Sequence, residues 1–229
     1  MRTLVLLSGG LDSGVLAAHE AQSAHVVPVY VSVGLAWEAA EVAMIERLLA
    51  APVFTGRVEP LQHLSFTMRD VYSPTHWAIR GVPPAYDTPD EDVYLVGRNL
   101  VLITKAGVAA VKAGAHRIAL GPLAGNPFPD ARPEFFASMA TTLSLGLDHA
   151  IDVATPFLHS SKEDVIRCGV ELGVPLEFTL SCMNPVRADD AGATLPRHCG
   201  LCSKCRERRD AFAAAGVSDP STYANQSPR

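Results

Sequence analysis

The sequence has no cysteine before Cys168, no excess of basic residues and no uninterrupted apolar run long enough to cross a membrane. Each absence excludes a class of protein. Five cysteines in 229 residues are too few for a secreted disulfide scaffold. Nineteen Lys and Arg against 24 Asp and Glu leave a net charge of −5, which argues against binding nucleic acid through the overall field. The start, Met1-Arg2 followed by Thr3 to Leu7, looks like the opening of a signal peptide. Ser8-Gly9-Gly10 then breaks the run, and Asp12 stands where an apolar region would continue. Ala21 to Trp37 carries no charged residue, but Gln22, His25, Pro28 and Gly34 interrupt it. It reads as a buried strand with its turns, not as a membrane span. The expectation is a cytoplasmic protein with neither membrane nor nucleic acid as partner. There, clustered cysteines more often bind metal than form disulfides. Internal repeats are absent too, and the one low-complexity stretch is the polar end after Gly216.

What is present is material for a sizeable core: 48% hydrophobic against 19% charged residues. The length corresponds to about 1.5 domains. Strands are expected at Thr3–Leu7, Val26–Val33, Val53–Val58, His116–Leu120 and Ile151–Ala154. Helices are expected at Ser13–Gln22, Ala36–Ala50, Asn99–Ala113 with Gly114 at its end, Pro133–Leu147, and Ser161–Leu172 stopped by Gly173. In the second helix, Glu38, Glu41, Glu46 and Arg47 are assigned to solvent. The alternation predicts an α/β fold with a parallel sheet. Between Leu61 and Val96 the pattern dissolves into prolines, aromatics and an acidic group, which predicts a lid or a partner surface. The chain divides into a main domain, 1–180, with 61–96 inserted in it; a C-terminal segment, 181–216; and a tail, 217–229.

Ser8-Gly9-Gly10-Leu11-Asp12-Ser13 lies between the first strand and the first helix. A glycine-rich turn entering a helix gathers backbone N–H groups at one point, and the helix dipole adds positive charge there. Glycine lets an anion approach the backbone closely, and Ser8 and Ser13 add donors. No Lys-Ser/Thr pair follows, so this is not a Walker A loop, and no G-x-G-x-x-G is present. A carboxylate beside phosphates is repulsive unless a cation bridges them, so Asp12 predicts Mg²⁺. The plainer alternative is that Asp12 caps the helix and the glycines only make a turn. The motif resembles the SGGxDS loop of the ATP pyrophosphatase (PP-loop, adenine-nucleotide α-hydrolase-like) superfamily. The resemblance implies a Rossmann-like fold and cleavage of ATP between its α and β phosphates.

Cys199, Cys202 and Cys205 form C-x₂-C-x₂-C, with Cys182 upstream. Three thiolates at this spacing can converge from a turn and a helix start, and a fourth completes the tetrahedron of a structural Zn²⁺. Such a segment is expected to be small, helical and dependent on its metal. An iron–sulfur cluster is a second reading, weakened because no cysteine follows Cys205. Disulfides are a third, and His198 in place of one sulfur is a fourth. Cys168 reads as an ordinary core residue.

Together the two motifs resemble the 7-cyano-7-deazaguanine synthase (QueC/ExsB) family from Leu4 to about Phe212. The carrying blocks are Ser8–Ser13, Gly97-Arg98-Asn99, Pro129–Phe135, Thr155–Phe157, Ser161-Lys162, Leu172–Pro175, Ser181-Cys182 and His198–Cys205. The resemblance implies an ATP-dependent ligase that acts on a 7-deazaguanine carboxylate with ammonia, as a cytoplasmic homodimer with ATP, Mg²⁺ and Zn²⁺. It implies that Leu7, Ser8, Gly9, Gly10, Leu11, Asp12, Ser13, Arg98, Asn99 and Gly121 bind the nucleotide, with Asp12, Ser13 and Lys162 catalytic. Asp130, Arg132, Glu134 and Phe135 would bind substrate. An acid there can pair with an N–H edge and Arg132 with a carboxylate; the alternative is a surface loop with a capped helix. Cys182, Cys199, Cys202 and Cys205 would hold zinc.

This chain also departs from the family. Ser32-Val33-Gly34-Leu35-Ala36-Trp37 stands where a Tyr-Gly-Gln-Arg-His-like run is usual. Ala131 stands where cysteine is usual, and Leu95-Val96-Gly97 lacks the usual proline. An apparent insertion lengthens Asn184 to Arg197. These departures leave open a diverged ligase that adenylates another carboxylate. A tRNA-modifying PP-loop enzyme is disfavoured by Ala131 and by the net charge. A purely binding role would leave Ser8–Ser13 without a purpose.

Overall fold

A computed structural model of the chain describes residues 1–187 and 195–226. Five strands form one sheet: β1 (Arg2–Leu6), β2 (His25–Ser32), β3 (Gln62–Ser65), β4 (Arg117–Ala119) and β5 (Asp152–Ala154). Their order is β3-β2-β1-β4-β5 and every pair is parallel. The helices are α1 (Leu11–Ala21), α2 (Glu38–Leu49), α3 (Trp77–Arg80), α4 (Arg98–Ala113), α5 (Pro133–Leu147), α6 (Lys162–Glu171) and α7 (Ser203–Ala215). Among the described residues, no helix is long and apolar enough to cross a membrane.

Side chains alternate across a strand, so an all-apolar strand feeds two cores. Leu4, Leu6, Val27, Val29 and Val31 meet α4 and α5 on one face. Val5, Leu7, Val26 and Tyr30 meet α1, α6 and Phe212 of α7 on the other. The expected α/β class with a parallel sheet is therefore the observed one.

The third strand is the main correction. Val53–Val58 does not form one: Pro52 opens a 3₁₀ turn over Pro52–Phe54, and Gly56 at φ +80° reverses the chain. Val58 makes only an isolated bridge to Val26. The strand lies at Gln62–Ser65, where the irregular insertion was expected. It is an edge strand of half-buried and exposed residues, so no apolar run marks it. The rest of 61–96 packs as a wall: Met68, Tyr72, Ala78, Val93 and Leu95 are buried in the first core. The Tyr72 hydroxyl donates to the carbonyl of Val96 at 3.0 Å.

The four clustered cysteines also pack into the first core. The segment expected as a tail folds back onto them over its described part. The His198 N–H donates to the Thr222 carbonyl (2.9 Å), the Ala224 N–H to the His198 carbonyl (2.8 Å), and the Asn225 side chain to the Cys199 carbonyl (2.9 Å). Within the apparent insertion between Asn184 and Arg197, residues 188–194 lie outside the described ones.

Candidate active site

The chain leaves β1 towards β2 on one side, and β4 pairs on the other. The carboxyl ends of β1 and β4 thus flank a switch point, where open α/β sheets bind ligands. A cleft of about 400 Å³ opens there, with a lobe of about 200 Å³ beside it. Both are lined by Ser8, Gly10, Asp12, Arg98, Asn99 and Gly121. Leu11 and Lys162 face the larger space, and Leu7 and Ser13 the smaller. Gly121 comes so close to the loop that a Cβ there would lie 3.4 Å from the Asp12 carbonyl oxygen.

Gly9 turns the loop at φ +77°, and a Cβ on it would meet the Glu41 carbonyl oxygen at 3.0 Å. Gly10 begins α1 in extended conformation with no side chain capping the helix. The loop is held instead by Ser13, whose hydroxyl donates to the Gly10 carbonyl (3.0 Å) and accepts the Ser8 N–H (3.2 Å). Asp12 is not a helix cap: its Oδ2 accepts from Lys162 Nζ at 3.2 Å, and its buried Oδ1 has no partner among the described residues.

Lys162 opens α6. Ser161 caps that helix in a reciprocal box with Asp164, which fixes where Lys162 starts. Its Nζ also donates to Glu207 Oε1 at 2.6 Å. Lys204 donates to the other oxygen of Glu207 (2.6 Å) and to Asp90 (3.0 Å). Burial works against the Lys162 charge, but Asp12 and Glu207 outweigh it and hold its pKa above the ordinary lysine value. Burial likewise works against the charge on Glu207, but Lys162 and Lys204 outweigh it and bring that carboxyl down to about 2.

Arg98 and Asn99 open α4 after Gly97, which sits at φ +74°. Asp130 clasps this helix start: its Oδ2 accepts the Asn99 N–H at 3.0 Å, and its carbonyl accepts the Asn99 amide at 2.9 Å. Burial raises the Asp130 carboxyl above the usual carboxylate range, against the opposing Asn99 bond and the Arg98 charge. Among the described residues, Asp12 Oδ1, Arg98 Nε and Asp130 Oδ1 are all buried without a hydrogen-bond partner, and all three residues line the cleft. Unpaired polar atoms gathered in one cleft mark a place for a polar ligand. The other three expected substrate residues are not brought there. Arg132 and Glu134 are exposed at the start of α5, Phe135 packs on Phe136, and none lines either space.

Part of the wall lies outside every motif of the sequence. Trp37 and Trp77 stack 5.7 Å apart, and Tyr94 and Phe128 stack 4.8 Å apart; all four line the cleft. Glu41, expected in solvent, is buried. Its carboxylate accepts from the Tyr30 hydroxyl (2.6 Å) and from Trp37 Nε1 (3.1 Å). Burial pushes its pKa up to about 7, with Arg98 and the two hydrogen bonds acting the other way. The spacing of Trp37 and Glu41, four residues apart on one helix face, was the available signal.

The Sγ atoms of Cys182, Cys199, Cys202 and Cys205 all lie within 4.8 Å of one another, and all four residues are buried. Three contacts measure 3.9 Å (Cys199–Cys205), 3.5 Å (Cys202–Cys205) and 4.0 Å (Cys182–Cys202). A tetrahedral Zn²⁺ with bonds of about 2.3 Å sets its sulfurs about 3.8 Å apart, so the set fits that ion. Backbone N–H groups of Asn184 and Cys199 point at Cys182 Sγ (3.3 and 3.2 Å), and that of Leu201 at Cys199 Sγ (3.3 Å). His198 lies outside the set: its Nε2 accepts the Ser181 N–H at 3.2 Å.

The sequence model of the family described as queuosine biosynthesis protein QueC matches residues 2–216. Three curated relatives carry the name 7-cyano-7-deazaguanine synthase. That of Anaeromyxobacter dehalogenans is 34% identical, over 97% of this chain and 96% of its own length. That of Methanothrix thermoacetophila is 32% identical, over 97% and 98%. That of Aromatoleum aromaticum is 34% identical, over 97% of each.

Proposed function

The chain belongs to the QueC family of queuosine biosynthesis proteins, and on that premise we propose that it makes 7-cyano-7-deazaguanine from 7-carboxy-7-deazaguanine, ATP and ammonia. The observation that carries this reading is the cleft at the switch point, where Asp12 Oδ1, Arg98 Nε and Asp130 Oδ1 are buried and, among the described residues, unpaired beside the Ser8–Ser13 loop. Each needs a polar partner, and a nucleotide with a heterocyclic carboxylate supplies them.

In this reading the substrate carboxylate attacks the α-phosphorus of ATP, and pyrophosphate leaves. Ammonia displaces AMP to give the amide and loses a proton. The amide oxygen then attacks the α-phosphorus of a second ATP, a second pyrophosphate leaves, and loss of the AMP with two protons gives the nitrile. The N–H groups at the start of α1 and the Ser8 hydroxyl hold the phosphates, and Ser13 keeps the loop in the shape that presents them. Lys162 offsets the charge that grows on the departing pyrophosphate. Arg98 faces the phosphates or the carboxylate, and Asp130 Oδ1 accepts from an N–H edge of the ring. The aromatic pairs Trp37–Trp77 and Tyr94–Phe128 flank a planar ring. Mg²⁺, held through Asp12, would screen the phosphates. Zn²⁺ on the four cysteines would stabilise the fold, since four sulfurs leave no open position for chemistry.

Incubation with the acid, ATP, Mg²⁺ and ammonium is expected to release AMP and pyrophosphate and to yield the nitrile by mass. Failure of the acid to stimulate AMP release removes the reading. A second reading, adenylation of a different carboxylate, is favoured by Trp37, Trp77 and Glu41 in the cleft wall, next to the family's missing polar run. AMP release with another acid and not with this one would select it.

A further inference from the structure

Lys162 occupies an awkward place for a cation. It is the first residue of α6, at the positive end of the helix dipole, which favours anions. It is held by two carboxylates from other elements, Asp12 at 3.2 Å and Glu207 at 2.6 Å. Asp12 is the oxygen donor that a phosphate-bound cation would recruit, so it cannot serve as the lasting anchor once nucleotide binds. Glu207 has no such competing duty. It comes from α7, beyond the cysteine turn, and lines the same cleft. It is itself fixed from its other side by Lys204 at 2.6 Å, and Lys204 reaches Asp90 in the cleft wall at 3.0 Å. Arg206 ties the same wall by donating to the Thr88 carbonyl at 3.3 Å. A continuous chain of alternating charge, Asp12–Lys162–Glu207–Lys204–Asp90, thus runs from the phosphate loop to the opposite wall through α7.

We infer that Glu207 is a positioning residue for the reaction: it holds the Lys162 ammonium over the phosphate loop, so that the cysteine-bearing segment furnishes part of the active site as well as its fold. The inference rests on the reading of Lys162 as the cation that meets the phosphates. A flexible lysine stem has many rotamers, and a misplacement of about 1 Å at a reacting centre can cost about a hundredfold in rate. The carboxylate of Glu207 restricts those rotamers, whether or not Asp12 is engaged elsewhere.

The test is a double-mutant cycle on the full-length, metal-loaded protein, reading AMP release with substrate and ATP varied. Glu207→Gln keeps shape and removes charge, and is expected to lower kcat about tenfold or more while the KM for ATP changes less than about twofold. Glu207→Asp keeps the charge on a shorter arm and is expected to fall between wild type and Glu207→Gln. Added to Lys162→Ala, Glu207→Gln is expected to cost nothing further, because its effect runs through that lysine. Zinc content and thermal midpoint are measured for each variant, and Glu207→Asp carries the test if Glu207→Gln does not fold. Full activity of Glu207→Gln with an impaired Lys162→Ala overturns the inference and leaves the reading of Lys162 standing. So does a loss that adds in full to that of Lys162→Ala, which would make Glu207 an independent staple between helices. Full activity of Lys162→Ala overturns the reading of Lys162 itself.

Discussion

The hydroxyl of Tyr30 donates to Oε2 of Glu41 at 2.6 Å, joining β2 to α2 inside the wall of the cleft. The bond joins two buried groups, and only the tertiary fold makes Glu41 one of them.

Glu41 makes stability depend on pH. Its carboxyl lies at about 7 in the folded chain against 4.5 for an unburied glutamate. A raised folded pKa means that the native state holds the proton more tightly, so the contribution is fully present below pH 4.5 and fades as pH rises through 7. The linked free energy is on the order of 3 kcal/mol. Glu41→Gln is expected to match wild type near pH 4.5 and to gain on it steadily up to pH 8. Urea midpoints across that range check it; a parallel pH dependence in both proteins would contradict it.

Lys162→Ala removes the cation nearest Asp12. It is expected to lower kcat for AMP formation by about 10² to 10³, with zinc content unchanged. Steady-state kinetics with both substrates saturating measure it.

Cys202 is fully buried with its sulfur among three others. Metal analysis of the purified protein is expected to find about one zinc per chain. Cys202→Ala is expected to lose the zinc and to unfold at lower temperature. Iron and sulfide in place of zinc would overturn the assignment.

Arg208 is fully buried and donates to Thr179 Oγ1 (2.9 Å), the Leu176 carbonyl (3.0 Å), Ser181 Oγ (3.3 Å) and Asp219 (3.3 Å). Arg208→Ala takes a buried donor from each of these acceptors, removes the cation beside Asp219 and opens a hole beside Phe212, above which the guanidinium sits. The expected loss is about 3 kcal/mol or more, read from denaturant unfolding.

Gly200 sits at φ +82°, and a Cβ there would lie 2.1 Å from the Asn225 carbonyl oxygen. Gly200→Ala is expected to cost more than about 1 kcal/mol from the backbone alone, and to push the C-terminal strap off the cysteine turn. Faster proteolysis after Gly216, with α7 still intact, is the signature to seek.

Much of this was legible in local pattern. Apolar runs marked β1, β2, β4 and β5, because strands buried on both faces must be apolar throughout. Glycine followed by a helix marked the Ser8–Ser13 loop that lines the cleft, and C-x₂-C-x₂-C marked three of the four converging thiols. β3 was not legible, because an edge strand of Gln62, His63, Leu64 and Ser65 carries no apolar signature. Nor was the packed course of the 61–96 segment, which depends on long-range burial of Met68, Tyr72 and Val93.

The sequence by itself determined the fold class, through the alternation of strands and helices along the chain, and it marked the glycine-rich Ser8–Ser13 loop and three of the four sulfurs, each written within a few consecutive residues. Only the tertiary structure decided which distant side chains share the cleft. It brought Glu207 to Lys162 across 45 residues and Lys204 to Asp90 across 114. It buried Glu41, left Arg132 and Glu134 outside, and turned Asp130 towards the start of α4. The physical reason is that pairing, burial and unpaired polarity are properties of the packed chain, set by which elements meet and not by what any one of them contains.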